Sequence, residues 1–468
     1  MADQQKQVTI ESLGYKQELK RSLSTLDLII YGLIFMVPIA PFGIYGSVAS
    51  ISGGMVALAY LIGMSGMIFT AFSYWRMSEV FPISGSVYGY ATHAIGKGVG
   101  FVSGWAILLD YILVPALLYV VAASALTSIL PNIPSWVWIV FFVLFNTVVN
   151  IIGIEFTAKF NWVMVIFEMI VFLIFCVAAV ICISSGQAGN GFTLKPFYNP
   201  ETFSLDLVMS AVSVAVLSFL GFDAISTLAE ESKGGNDAVG KASVWSLLLV
   251  GVLFIIQTYL AACVMPWQGD ATFASLDNAF YEVAGVAGGA AIMWICAIAT
   301  GLAWGIADCL VAQAAISRIL FSMARDGFLP KPLAKVHPKF KTPHVATLFI
   351  AVLSLVITLG FATTILSIAE VINFGALTAF LVLNFTVIYY FIYKQKSKHY
   401  FKHLVLPLIG FVIVGYVWFS LSAAAMKLGF IWVAIVRSLD CFANHVDWIE
   451  PRSMFLYRTR FFCKCVLA

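Results

Sequence analysis

Five carboxylates fall within or beside the apolar runs of this chain: Asp110, Glu168, Asp223, Asp308 and Glu370. No Lys or Arg sits deep in those runs; Lys159 and Arg318 stand at their ends, where a long side chain reaches the interface. A carboxylate held in hydrocarbon without an internal cation must be protonated, hydrogen-bonded or neutralised by something that arrives. An ammonium group, a proton or Na⁺ would each serve. The chemistry to expect is therefore cation binding and proton exchange. The six His form no H-x-x-H or H-E-x-x-H pattern, and no Ser–His–Asp set can be argued. No enzyme activity, metal centre or cofactor is expected.

The most informative stretch is S-F-L-G-F-D-A-I-S-T-L-A-E-E-S at 218–232. It places Gly221, Asp223 and small hydroxyl residues at bilayer depth, flanked by Phe219 and Phe222. An acid at that depth marks a functional site by default, and here it abuts an expected interruption of the helix. Asp110 adjoins Tyr111, a pairing that suits an ammonium group through charge and cation–π attraction together; a structural Asp–Tyr hydrogen bond is the alternative. Glu168 recurs among bulky apolar residues and is expected to face the bundle, as a proton-coupling candidate with Asp223. Asp308 is open to a reading as a protonated interhelical hydrogen bond, and Glu370 to one as a solvated group. Glu230 and Glu231 suit either a solvated helix end or a gate closed by a basic residue such as Arg76.

These residues need a membrane scaffold. The chain has 468 residues, 61% hydrophobic and 10% charged, with a mean hydropathy of +0.97. Soluble domains carry about 25% charged residues, so this is a polytopic membrane protein. A formal charge of +3 gives no argument for nucleic acid. With about 20 apolar residues per span, eleven full segments are expected near 26–50, 54–74, 99–129, 135–153, 160–184, 206–230, 242–265, 286–318, 344–363, 368–392 and 404–423. A twelfth begins near Ala424. Residues 1–25 are polar and lack the core of a cleavable signal. With the N-terminus in the cytoplasm, only Lys195 and Lys427 among the basic residues before Phe430 fall outside, as the positive-inside rule requires. A multi-pass protein of the cell membrane follows. The single Cys of the spans (Cys176, Cys182, Cys263, Cys296, Cys309) predict no disulfide.

The first segment carries its own interruption, M-V-P-I-A-P-F-G at 36–43. Pro38 and Pro41 each lack an amide donor and clash with the preceding turn. Breaks in the first and sixth segments are the mark of two inverted five-helix repeats, 26–184 and 206–392, with the substrate at the midplane between them.

The chain resembles the amino acid–polyamine–organocation superfamily. The resemblance rests on S-F-L-G-F-D-x(6)-E-E at 218–231, E-V-F-P-I-S-G-S-V-Y-G-Y at 79–90, S-R-I-L-F-S-M-A-R-D-G-F-L-P at 317–330 and V-H-P-K-F-K-T-P at 336–343. L-L-D-Y-I-L-V-P at 108–115, G-L-I-F-M-V-P at 32–38 and I-N-F-G-A-L-T-A-F at 372–380 look most like its putrescine-importer branch. The resemblance implies twelve helices and cation-coupled uptake by alternating access. Two departures bear on substrate. Prolines stand where permeases of this superfamily usually carry a Gly-rich break whose amides receive a carboxylate. Counting from Asn161 reaches Glu168 where many members have a Lys. Both favour an amine without a carboxylate, such as putrescine, over a zwitterion. The expected substrate contacts are Asp223, Tyr111, Asp110, Gly221, Phe219, Phe222 and Pro38. The expected coupling ion is H⁺, with Na⁺ the open alternative. A cationic or broad amino acid permease is the rival; a non-transporting sensor lacks an output domain. The partners are a small cation and the bilayer, with the protein a monomer or homodimer.

The C-terminus breaks the pattern. Residues 404–435 read as an eleventh and a partial twelfth helix, and 436–468 then bring charges and Cys441, Cys463 and Cys465. A frameshift near Ile435, or an error in the gene model, would produce this; a variant tail on the membrane surface is the alternative.

Overall fold

The computed structural model describes residues 19–443 and Lys16, apart from 131, 153, 189–190 and 361–364. The expectations for most of the N-terminal segment and for 444–468, including the frameshift, lie outside the described residues. Fifteen α-helices are present among the described residues, with no strand. They are α1 (Thr25–Met36), α2 (Pro41–Ser52), α3 (Val56–Val80), α4 (Ser86–Ala94), α5 (Lys97–Ile129), α6 (Ser135–Ile152), α7 (Ile154–Ser184) and α8 (Leu205–Ala215). The remainder are α9 (Asn236–Val264), α10 (Ala279–Leu302), α11 (Cys309–Arg325), α12 (His344–Gly360), α13 (Ile365–Ile388), α14 (Leu406–Phe419) and α15 (Ala423–Ala443). Nine spans are long and apolar enough to cross a membrane, and the bent pair α1–α2 makes a tenth. Two shorter apolar helices, His344–Gly360 and Ala423–Ala434, accompany them. The chain is a polytopic helical membrane protein of the expected class. Helix α15 runs past Ile435 to Ala443, beyond the point where the apolar run stops.

The first break is a consequence of Pro38. Helix α1 opens on a capping box, with Ser24 and Asp27 exchanging backbone and side-chain hydrogen bonds. It ends at Val37, which holds φ +48°. A β-branched residue there is a strained outlier, costing about 1–3 kcal/mol. The two halves of the span diverge by 52°. The sixth span breaks as well: α8 passes into 3₁₀ turns at Val216–Phe219 and Ala224–Glu231. Between them Gly221 adopts φ +124°, with the Phe35 ring where a Cβ would sit. Only glycine fits that conformation and that contact. The two breaks therefore meet.

Helix α3 packs on α9, α5 on α10 and α11, and α6 on α12. Lipid supplies no hydrophobic drive between helices, so polar side chains and close contacts hold them, at about 0.6 kcal/mol per hydrogen bond on average. Asn384 on α13 bonds Ser73 (2.5 Å) and Thr70 (3.1 Å) of α3. Asn150 on α6 reaches Leu310 O (3.0 Å) and Gln313 Oε1 (2.9 Å). A π-helical turn at Ala303–Asp308 links α10 to α11; Asn146 donates to its Gly305 carbonyl at 2.9 Å.

Two features escape a reading by span length. Helix α4 fills part of the expected 76–97 loop, and α10 begins at Ala279 and kinks at Gly288 and Gly289.

Candidate functional site

A cavity of about 30 Å³ lies between the breaks. Phe35, Met36, Val37 and Ala40 of the first break, Val114, Leu117 and Leu118 of α5, and Leu217, Ser218 and Leu220 of the second break line it. Trp304 and Asp308 of the π turn complete the wall. That space suits water-sized groups such as a single ammonium head. Ser218 Oγ pairs with Tyr60 OH at 3.1 Å.

Asp223 is buried, and both of its oxygens are engaged. Tyr111 OH donates to Oδ2 at 2.6 Å and Gly221 N to Oδ1 at 3.1 Å. The Asp223 carbonyl in turn accepts from Ser226 Oγ at 2.6 Å. The acid thus braces the second break to α5. Asp110 is buried beside Tyr111, where α5 crosses Gly375 of α13 closely. Phe219 packs on Tyr60 and Phe254, and Phe222 on Tyr74 and Phe380. Neither ring is among the residues that line the cavity, where Val114, Leu117, Leu118, Leu217 and Leu220 supply apolar side chains instead. Pro38 offers no contact there either; its carbonyl accepts from Gln257 Nε2 at 2.9 Å.

The other acids differ. Glu168 is fully buried on α7, and neither oxygen has a hydrogen-bond partner among the described residues. Asp308 Oδ1 and Trp304 Nε1 are also buried without one. Glu370 is half-buried and accepts from Ser422 Oγ at 2.6 Å.

The amides at the first break are few. Pro38 and Pro41 have none; Phe42 N bonds Ile39 O (2.9 Å) and Gly43 N bonds Ala40 O (3.1 Å). At the second break Leu220 N bonds Leu217 O, and Gly221 N is held by Asp223.

The bundle is latched at the end that carries the N-terminus. Glu231 pairs with Arg318, whose Nη1 also bonds Ala314 O at 2.8 Å. Glu230 takes both terminal nitrogens of Arg325 at 3.0 and 3.2 Å, and Ser84 N at 3.0 Å. Ser322 donates to Ser84 O, and Tyr88 to Asp326. Ser22 N and Leu23 N bond the Glu231 carbonyl at 3.0 and 3.1 Å. Arg76 is not the partner of this acid pair; it bonds Glu79, one turn along its own helix, at 2.8 Å. Glu230 and Glu231 are buried, so the reading of a solvated helix end is corrected too. Sequence motifs 79–90, 218–231 and 317–330 converge on this one latch. On α2, beyond the first break, Phe42 stacks on Phe280 at 3.9 Å, with Phe175 and Tyr45 against the same ring.

Two broken spans that meet at a small cavity fit a membrane transporter. The amino acid permease family model matches residues 22–438, and the chain belongs to that family. It is 32% identical over 429 residues to the low-affinity putrescine importer PlaP of Escherichia coli K12, covering 89% of this chain and 92% of that protein. It is 29% identical to the branched-chain amino acid permease BcaP of Bacillus subtilis, covering 92% of each. Cationic amino acid transporter 4, vacuolar, of Arabidopsis thaliana is 25% identical over 391 residues, 78% of this chain and 62% of that protein. The family match ends close to where the atypical tail begins.

Proposed function

We propose that this permease imports a small organic cation, putrescine or a related polyamine, by proton-coupled alternating access. The observation that carries this reading is the state of the two breaks. A zwitterion needs free amides for its carboxylate; here two prolines supply none and the Phe42, Gly43, Leu220 and Gly221 amides are already bonded, which leaves few donors at the breaks, those of Ile39 and Phe222. Carboxylates, by contrast, are in excess: both oxygens of Glu168 and Oδ1 of Asp308 lie buried with no partner among the described residues. An arriving ammonium group corrects that imbalance.

The chain sits in the cell membrane with its N-terminus and latch on the cytoplasmic side. Substrate enters from outside past Phe42 and Phe280. Release requires Glu230 and Glu231 to part from Arg325 and Arg318, moving the second break relative to α5. Asp223, held by Tyr111, transmits that motion. The inside-negative potential favours cation entry by about 2.3 kcal/mol per charge per 100 mV. Glu168 is the proton-coupling group, since a buried carboxylate without a partner exchanges protons as its surroundings change; a Na⁺ gradient is the alternative driving force.

The rival is a cationic or broad amino acid permease. One observation favours it: Trp304 Nε1–H has no partner among the described residues and could meet a carboxylate. Competition separates the two. Excess unlabelled putrescine should abolish labelled putrescine uptake while lysine and ornithine leave it intact; equal inhibition by lysine would favour the rival.

A further inference from the structure

Asp223 is the acid that the sequence singles out, yet its two oxygens are taken by Tyr111 and Gly221 and its side chain is not in the cavity wall. Asp308 is. It is 4% exposed, its Oδ1 has no hydrogen-bond partner among the described residues, and it lines the same small cavity as Ser218 and Trp304.

We propose that Asp308 is the residue that takes the substrate's ammonium group, and that Asp223 is a positioning residue that holds the second break. The assignment rests on the proposed function for the identity of the ligand, an amine, and on the cavity for its place.

Three observations converge on Asp308. First, it ends a π-helical turn, the kind of irregularity that re-aims side chains at functional sites. Asn146 holds that turn through Gly305 O, so the carboxylate is fixed by the scaffold and not by a ligand of its own. Second, the facing wall is the C-terminal end of α1, Phe35 and Met36. The negative end of a helix dipole favours a cation there. Third, apart from Ser218 and Trp304 the wall shared with Asp308 is apolar, with Val114, Leu117, Leu118 and Leu217. That surface suits a methylene chain. A cavity of about 30 Å³ accepts the ammonium head alone. The rest of the substrate requires the breaks to move apart, and strain at Val37 and the bonds of Asp223 to Tyr111 and Gly221 lie at that boundary. Glu168 is on α7, which packs against the same π turn. It stands as a second acid behind the first.

The test is equilibrium binding of labelled putrescine to the purified full-length protein. Asp308→Asn should weaken binding about 10- to 100-fold, the loss expected for one charge-assisted contact. Asp308→Glu should recover part of it. Asp223→Asn should bind within about threefold of wild type but transport slowly. Wild-type affinity in Asp308→Asn, or loss of binding confined to Asp223→Asn, would overturn the assignment. If the wild type binds leucine and not putrescine, the proposed substrate class fails; Asp308 is then judged with leucine, whose ammonium needs the same acceptor. Unchanged leucine binding in Asp308→Asn would sink it. A ligand-independent measurement covers the remaining case. In a cysteine-free background, Asp308→Cys should react with 2-aminoethyl methanethiosulfonate faster than Asp223→Cys. The opposite order would refute the assignment.

Discussion

The Tyr111 hydroxyl donates to Asp223 Oδ2 at 2.6 Å, joining the third span to the broken sixth. The Gly221 amide holds the other oxygen of the same carboxylate. The buried carboxylate is thus satisfied within the protein and ties the second break to α5; the proposed use is mechanical.

Tyr111→Phe should expose that use. It removes one charge-assisted hydrogen bond in a buried place, worth about 1.5–3 kcal/mol. Initial uptake rates should fall about tenfold or more with the protein still reaching the membrane. Wild-type rates would mean that the bond is incidental.

Gly221→Ala should be harsher. The residue holds φ +124°, and the added carbon would lie 2.0 Å from Phe35 Cδ1. Strain of about 1–3 kcal/mol comes on top of the overlap, so thermal stability in detergent should drop and transport should be lost. Adding Phe35→Ala relieves the overlap but not the backbone strain. The double variant should recover only part of the stability; full recovery would show that φ does not matter here.

The latch makes a charge-swap prediction. Arg318 and Glu231 are 4% and 3% exposed, so removing one partner leaves a buried charge at a cost of about 3–5 kcal/mol. Arg318→Glu and Glu231→Arg should each abolish uptake, and the two together should restore a substantial part of it. Arg76→Glu combined with Glu231→Arg should restore nothing. Uptake unaffected by the single changes would remove the latch from the transport cycle.

The last span is held by a reciprocal pair. Trp105 Nε1 bonds Trp432 O at 2.9 Å, Trp432 Nε1 bonds Trp105 O at 2.8 Å, and the rings stack at 4.6 Å. Trp432→Phe removes one of the two bonds, and Trp432→Ala also removes the stack, worth about 0.5–1.5 kcal/mol more. Melting temperature should fall stepwise across the two, while uptake per folded molecule stays unchanged. Equal melting temperatures would mean that α15 is docked by other contacts.

Much of this architecture was legible in the residues. Pro38 and Pro41 announced the first break, and Gly221 with Asp223 the second, because backbone chemistry acts locally. The latch was half legible. Glu230 and Glu231 stood out, but their partners Arg318 and Arg325 are remote in sequence and join them only through packing. Arg76 looked as eligible as either and is instead neutralised by Glu79 on its own helix. The place of Asp308 in the cavity wall was hidden for another reason. In a membrane bundle the lipid-facing and protein-facing sides of a helix are both apolar, so hydrophobic pattern does not tell which side a residue occupies. Phe219 and Phe222 illustrate the same blindness: adjacent to the break, they turn into the scaffold and not toward the cavity.

Uptake of labelled putrescine into proteoliposomes, with and without an imposed pH gradient, tests the central claim most directly. Saturable uptake that rises when the outside is made acidic, and that lysine does not compete away, is the result expected. Robust amino acid uptake with no saturable putrescine uptake would contradict it.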